Sequence, residues 1–175
     1  TLTAFADVQD RIYDATTDGT LNDITLQGVI GSETLQVAGG TAQFADKNVG
    51  VDKVVTVTGI MISNGTGAEA GLSSNYQIAS PATTTASISK KGLTIAGVEA
   101  FDREYNGKMI ADINTDAASL TGKITNDEVT FGSMTGSFLD KNVGDNKVVI
   151  GSDVVLEGAD AGNYDLIQPE GLQAT

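Results

Sequence analysis

Short runs along the chain alternate apolar and polar residues, as expected for strands with one buried face. Leu35 and Val37 are separated by one polar residue, and Val129 and Phe131 hold the matching positions further along. β-branched residues dominate positions 53–58, which suits a pleated, half-buried surface. The pattern therefore predicts an all-β protein.

Glycines punctuate these runs, and helical periodicity is not sustained in any segment. Gly39-Gly40 predicts a tight hairpin, after which Ala42 and Phe44 face the same side of a strand. The best candidate for a short helical turn is Thr115–Leu120. We therefore expect strands and turns, with at most one short helical segment in each part of the chain.

The sequence contains two diverged copies of one repeat of about ninety residues. The order of the shared segments is kept, while their spacing drifts by a few residues, as when loops change length around a fixed framework. The matching segments are Asp10–Tyr13 with Asp102–Tyr105, Phe44–Gly50 with Phe138–Gly144, and Asn75–Tyr76 with Asn163–Tyr164. The framework is therefore duplicated, not one isolated motif.

The repeats define two tandem domains, 1–88 and 89–175. The sequence at 86–95 runs from the last strand of one repeat into the first strand of the next, without a Gly/Ser-rich or Pro-rich linker. A short join of this kind favours a stiff, end-to-end arrangement. We predict that each domain is a small antiparallel β-sandwich of Ig-like type. A β-grasp-like module, with one short helix on a sheet, is the alternative.

Composition excludes several functions. The net charge is −13 and only ten residues are basic, which argues against nucleic-acid binding and against an anionic membrane surface. The chain has no His and no Cys, so a Ser-His-Asp triad, a cysteine nucleophile and a thiolate metal site are impossible. It has no Gly-rich phosphate loop. We therefore predict a non-catalytic protein, without catalytic, cofactor-binding or metal-binding residues.

Calcium is the one cofactor kept as an alternative. The segment 102–107 faintly resembles the opening of an EF-hand loop, but Ile113 stands where that loop needs a bidentate Glu. A calcium site of another kind would use the oxygens of Asp102, Glu104 and Asn106. Apart from this alternative, we expect no cofactor.

Repeated polar residues have structural and chemical interpretations. The Asp-Lys-Asn-Val-Gly segment is read as a turn, because Asp and Asn bind nearby backbone and Gly supplies a positive φ; a ligand-binding loop is the alternative. The matching tyrosines are read as packed rings with hydroxyls tied to backbone. A Lys–Asn or Lys–Asp isopeptide bond is a further hypothesis, motivated by the repeated Lys47 and Lys141 and the repeated Asn75 and Asn163.

The repeated segments resemble the YDG/MBG-type repeats of large bacterial surface adhesins of the filamentous-haemagglutinin type. That family's pattern has Tyr-Asp-Gly, then Phe-Ala-Asp-Lys-Asn-Val-Gly, then Gly-Ala-Asp-Ala-Gly-Asn-Tyr. The first copy keeps Tyr13-Asp14-Ala15 and all of Phe44–Gly50; the second keeps Tyr105-Asn106-Gly107 and all of Gly158–Tyr164. Neither copy has an intact Tyr-Asp-Gly.

The resemblance implies an extracellular protein at the bacterial cell surface, exported by two-partner secretion and used in attachment or biofilm formation. The repeats would then be stalk or spacer modules whose partners are neighbouring repeats of the same chain. As an alternative, the repeats themselves bind an exopolysaccharide, a host glycan or another copy of the adhesin. We expect no nucleic-acid partner and no membrane insertion.

Overall fold

The structure is a computed structural model that describes residues 1–152 and 154–175. Strands account for 51% of residues and helix for 3%, which confirms the predicted all-β class. The chain divides into two compact units, Thr1–Ser89 (unit 1) and Lys90–Thr175 (unit 2). Among the described residues, no helix is long and apolar enough to cross a membrane.

Unit 1 contains seven strands arranged in two sheets. The strands are β1 (Thr3–Val8), β2 (Arg11–Ile12), β3 (Asp18–Gly19), β4 (Leu21–Gln27), β5 (Leu35–Phe44), β6 (Gly50–Asn64) and β7 (Ala82–Ser89). One sheet pairs β1 with β4, and the other has the order β2-β7-β6-β5-β3. The prediction of antiparallel sheets is wrong at one strand pair of unit 1: β2 runs parallel to β7, which it meets only after the chain has crossed the whole unit.

Alternating burial builds the core of unit 1. Every second residue of β1 is buried, and β1 packs against β7 of the other sheet. Val55 and Val57 of β6 are fully buried, each with 0% exposure. The β-branched run at 53–58 therefore places one face in the core, as its composition predicts.

No hairpin forms at Gly39-Gly40, contrary to prediction. β5 continues through both glycines, which have φ of 74° and 105°, and its pairing with β6 keeps one register from end to end. The inward positions change phase there, from Leu35 and Val37 before the glycines to Ala42 and Phe44 after them. The two glycines with positive φ thus let one long strand change its buried side once, and alternation in the sequence alone cannot distinguish this from a turn.

The described residues of unit 2 form eleven strands. They are β8 (Lys91–Ala96), β9 (Glu99–Ala100), β10 (Ile110–Ala111), β11 (Ile113–Asn114), β12 (Ser119–Thr121), β13 (Thr130–Phe131), β14 (Gly136–Phe138), β15 (Lys147–Gly151), β16 (Leu156–Glu157), β17 (Tyr164–Ile167) and β18 (Leu172–Ala174). These strands form the sheets β10-β14-β15-β18, β12-β8-β17, β11-β9 and β13-β16, in which β17 runs parallel to β8. The same framework is present as in unit 1, with its long strands divided.

The helical turn predicted at Thr115–Leu120 is limited to one hydrogen bond, from Ala118 N to Thr115 O at 3.0 Å. The last two residues of the predicted turn, Ser119 and Leu120, belong to strand β12, which pairs with β8. The helical elements of the described residues are two 3-10 turns, Ser73–Asn75 and Ala161–Asn163. The β-grasp alternative is therefore wrong, since it needs a helix packed on the sheet.

Candidate functional site

An arginine organises the loop after β2 in unit 1. The Arg11 guanidinium binds the Asp14 carboxylate and the Thr16 carbonyl, and lies over the Phe44 ring at 5.0 Å from its centroid. Asp14 also accepts a hydrogen bond of 2.9 Å from Thr16 N. Partial burial raises the pKa of Asp14, but the bonds from Thr16 and Arg11 outweigh it, so the pKa lies below its ordinary value. We call this arrangement the arginine loop.

Unit 2 repeats the arginine loop with an amide in place of the carboxylate. Arg103 binds Asn106 Oδ1 and the Lys108 carbonyl, and lies over the Phe138 ring at 4.9 Å. Lys108 N donates to Asn106 Oδ1 at 3.0 Å. The geometry is thus kept although the charge of the acceptor is lost.

The third residue of the triplet needs a left-handed backbone. Ala15 has φ of 65° and Gly107 has φ of 76°. A side chain is strained in this region, whereas glycine adopts it freely. The pattern Tyr-Asp-Gly therefore has a structural explanation: an acceptor for the arginine, followed by a residue that can turn the chain.

The Asp-Lys-Asn-Val-Gly segment is a turn closed by its aspartate, as predicted, but the positive φ predicted for its glycine is wrong, because neither Gly50 nor Gly144 has one. In unit 1, Asp46 Oδ1 accepts hydrogen bonds from Asn48 N at 2.8 Å and from Lys53 Nζ at 2.6 Å. The Lys53 ammonium and the Asn48 amide hold the pKa of Asp46 below its ordinary value. The lysine at the start of β6 therefore closes the turn that precedes it.

Unit 2 closes its turn in the same way. Asp140 Oδ1 accepts from Asn142 N at 2.8 Å and binds Lys147 Nζ, which also donates to the Asn142 carbonyl at 2.7 Å. Lys147 and Asn142 lower the pKa of Asp140. Both copies therefore use this segment to bind the chain to itself.

Each unit has a tyrosine corner, which confirms the predicted structural role of these two tyrosines. In unit 1 the Tyr76 hydroxyl accepts from Ile30 N at 3.1 Å and donates to Glu33 Oε2 at 2.6 Å. Donation to that carboxylate raises the pKa of Tyr76. The corner lies on the exposed side of the unit.

The corner of unit 2 is buried. The Tyr164 hydroxyl accepts from Ile124 N at 3.1 Å and donates to Asp127 Oδ2 at 2.5 Å. Tyr164 and Asp127 are 2% and 6% exposed. The two corners are therefore equivalent in geometry but differ in their contact with solvent.

The other tyrosine pair differs sharply between the units. Tyr13 is 1% exposed, and Lys47 Nζ lies 5.9 Å from its ring centroid. Tyr105 is 61% exposed. It lines an open cavity of about 310 Å³, together with Phe138, Lys141 and other residues of the turn. The prediction of a packed ring is thus confirmed for Tyr13 and wrong for Tyr105, which stands beside the cavity instead of filling a core position.

Two of the three candidate calcium ligands, Asp102 and Asn106, have other partners. Asp102 Oδ1 accepts from Thr175 N at 2.6 Å, and Asn106 Oδ1 serves the arginine loop. Glu104 lines the cavity. Among residues 1–152 and 154–175, no group of three or more His, Cys, Asp or Glu side chains is placed to hold a metal ion.

The lysine and asparagine of the isopeptide hypothesis have different partners in unit 1. Lys47 lies over the Tyr13 ring. Asn75 ends a 3-10 turn, and its backbone N–H donates to the Leu72 carbonyl at 3.0 Å. The cross-link stays a prediction, to be tested by intact mass.

The arginines and the acceptors of the tyrosine corners were not predicted from the sequence. Arg11 and Arg103 follow an aspartate in both copies, and this repetition was the available signal. Glu33 and Asp127 differ in side-chain length, so only alignment of the copies could have found them. All four residues bind other parts of the chain, which makes the shared site a structural one.

Comparison with known proteins gives one family. The model of the YDG domain matches residues 1–86 and again residues 89–171. No curated protein and no solved structure gives a significant match. Because the two matches together span nearly the whole chain, the protein belongs to the YDG domain family and carries two tandem copies of that domain.

Proposed function

We propose that the two YDG domains are non-catalytic stalk or spacer modules of a large secreted bacterial adhesin. One observation carries the proposal: the residues shared by both copies are used to hold each domain together. The arginine loop, the Asp–Lys turn and the tyrosine corner recur in both units with nearly the same distances. Duplication has thus preserved a scaffold, which is what a spacer needs.

Two further features support a spacer. β7 ends at Ser89 and β8 begins at Lys91, so one residue separates the last strand of one domain from the first strand of the next. A connection this short leaves little flexible chain. The charge of −13 favours solubility at the high local concentration of a cell surface. On this proposal the protein is extracellular, at the bacterial cell surface, and serves attachment or biofilm formation.

The alternative is that the repeats bind a polysaccharide, a host glycan or another adhesin copy. The observation that favours it is the cavity of unit 2, where the exposed Tyr105 ring lies near Lys141. Aromatic rings are suitable platforms for sugar rings. The matching ring of unit 1, Tyr13, is buried, so such binding would belong to one domain only.

A binding screen separates the two functions. The whole chain is tested against host glycans and bacterial matrix polysaccharides, and every hit is titrated. The spacer proposal expects no saturable binding. Saturable binding that Tyr105→Ala abolishes, while Tyr76→Ala leaves it intact, would overturn the spacer and establish the alternative. Surface labelling of the producing bacterium with an antibody to this chain tests the location, and a purely internal signal would contradict it.

A further inference from the structure

Asparagine is followed by glycine at two places in the chain, Asn64-Gly65 in unit 1 and Asn106-Gly107 in unit 2. In such a pair the glycine nitrogen can attack the side-chain carboxamide of the asparagine, because glycine has no side chain to obstruct the approach. The attack needs a glycine nitrogen that is not already hydrogen bonded, and it is favoured by donors that polarise the carboxamide. The structure treats the two pairs differently.

The pair of unit 1 is closed to this reaction. Asn64 is the last residue of β6 and pairs with Leu35 of β5. Gly65 N donates to the Gly71 carbonyl at 3.0 Å. A Cβ on Gly65 would lie 2.0 Å from the Thr34 carbonyl oxygen, so the backbone beside this glycine leaves it little room to rotate. The Gly65 nitrogen is therefore held by the sheet and is not available to the carboxamide.

The pair of unit 2 lies in the arginine loop, outside the strands. Among the described residues, Gly107 N has no hydrogen-bond acceptor. The surroundings are also open, since a Cβ built on Gly107 would lie 3.9 Å from the Tyr105 hydroxyl oxygen. Unit 1 has the same opening: Asp14 is exposed, and in the described part of the chain Ala15 N lacks an acceptor as well. The free nitrogen is therefore a property of the loop itself.

Two donors fix the orientation of the Asn106 carboxamide. The Arg103 guanidinium and Lys108 N bind the same side-chain atom, the latter at 3.0 Å. Both groups only donate hydrogen bonds, so this atom is the oxygen and the NH₂ group points away from them. A cationic donor and a backbone N–H stabilise negative charge on this oxygen, as an oxyanion hole does. The arginine loop therefore activates the carbon that the Gly107 nitrogen attacks.

We propose that Asn106 is a site of spontaneous deamidation, which converts the Tyr-Asn-Gly triplet of unit 2 into Tyr-Asp-Gly. The Gly107 nitrogen forms a bond to Asn106 Cγ, and the Cγ–Nδ2 bond breaks. Nδ2 leaves as ammonia and takes the proton that Gly107 has lost. Solvent water then adds to Cγ of the cyclic imide, the new Cγ–N bond breaks, and a proton of the water returns to the Gly107 nitrogen. This goes beyond the proposed function, because the reaction needs no partner.

The same two donors select the product. Water that adds to the backbone carbonyl of the imide, and not to Cγ, gives isoaspartate, whose main chain is longer by a methylene group. Arg103 and Lys108 N bind the oxygen on Cγ, so they activate the carbonyl that yields normal aspartate. Unit 1 shows that this product fits, because Asp14 occupies the matching place and binds Arg11. The reaction therefore gives the arginine loop of unit 2 an ion pair.

Ageing of the whole chain near neutral pH tests the proposal. One sample stays folded and a matched sample is held in urea, and both are then digested and mapped by mass spectrometry. Deamidation raises the mass of a peptide by about 1 Da, and electron-transfer fragmentation distinguishes aspartate from isoaspartate. In the folded chain we expect Asn106 to react at least about fivefold faster than Asn64 and to give mainly aspartate. In urea the two rates should become similar, and the share of isoaspartate should rise.

Two variants test the role of the arginine. Arg103→Gln should slow deamidation of Asn106 and raise the share of isoaspartate, whereas Arg103→Lys keeps the charge and should retain more aspartate. Hydrogen exchange of unit 2 checks the fold of each, and the comparison of Asn64 with Asn106 stands without them. Equal rates at the two asparagines in the folded chain, or isoaspartate as the main product at Asn106, would overturn the proposal. An unchanged rate and product ratio in folded Arg103→Gln would remove the arginine from it.

Discussion

The two units share one framework but differ at its first tyrosine. The arginine loop and the Asp–Lys turn form in both units with nearly the same distances. Tyr13 is 1% exposed in unit 1, whereas Tyr105 is 61% exposed in unit 2. The motif that both copies share around this tyrosine therefore does not by itself determine the burial of its ring.

The largest expected effect is the loss of stability on removing the first tyrosine of each unit, Tyr13 in unit 1 and Tyr105 in unit 2. Tyr13→Ala should lower the free energy of unfolding of unit 1 by about 3–5 kcal/mol, because it removes a fully buried ring. Tyr105→Ala should change that of unit 2 by less than about 0.5 kcal/mol, because its ring is in solvent. Hydrogen exchange resolved by peptide reports each unit separately. Equal losses in the two units would contradict the difference in burial.

The second prediction concerns the tyrosine corners, where unit 2 is expected to lose more stability than unit 1. Tyr164→Phe removes a buried hydroxyl that binds Asp127 and Ile124, and should cost unit 2 about 2 kcal/mol. Tyr76→Phe should cost unit 1 less, because its partners are exposed. Urea unfolding followed by hydrogen exchange measures both. If Tyr76→Phe lowered the free energy of unfolding more than Tyr164→Phe does, exposure to solvent would not be what determines how much a tyrosine corner stabilises its unit.

The third prediction concerns the last residue of the Tyr-Asp-Gly triplet, which is Ala15 in unit 1 and Gly107 in unit 2. Ala15→Gly should stabilise unit 1 by about 0.5–1 kcal/mol, because it relieves a left-handed alanine. Gly107→Ala is the matched control and should destabilise unit 2 by about 1 kcal/mol. Thermal unfolding with the same exchange readout measures both changes. Opposite signs are required, and a destabilising Ala15→Gly would disprove the explanation of the triplet.

The smallest effect is the pH dependence of the Asp–Lys turn. The pKa of Asp46 is lowered from 3.8, so its stabilising contribution is fully present above that pH and is lost as the pH falls through the lowered value. Lys53→Met should cost less than about 1 kcal/mol at neutral pH, because exposed ion pairs are weak.

The cost of Lys53→Met should disappear when Asp46 is protonated. Unfolding is compared with the unmodified chain at neutral pH and near pH 2. Asp46→Asn serves as the control, since it removes the titrating group and should abolish the pH-dependent difference. Lys147→Met should act in the same direction in unit 2, where Lys147 lowers the pKa of Asp140. A cost that persists at low pH would mean that the lysine stem, not its charge, stabilises the turn.

Sequence predicted the class of the fold, the duplication and the turns, because alternation and local turn chemistry are properties of neighbouring residues. It failed at Gly39-Gly40, where pairing of β5 with β6 holds a strand through two left-handed glycines. It also failed at Tyr105. The shared motif gives a buried ring at Tyr13 and an exposed ring at Tyr105, so the motif alone does not predict burial.

The change of buried side at Gly39-Gly40 in β5 has a consequence for strand exchange between tandem copies during folding. Neighbouring domains with similar strands tend to exchange them, and this is a common route to misfolded multidomain chains. In unit 1 the buried side of the long β5 strand changes phase at Gly39-Gly40, whereas unit 2 has Ser133-Met134 there and separate short ladders. The two domains therefore differ in strand length and burial phase at the place where exchanged strands would have to match. We expect this divergence to disfavour strand exchange between the tandem copies.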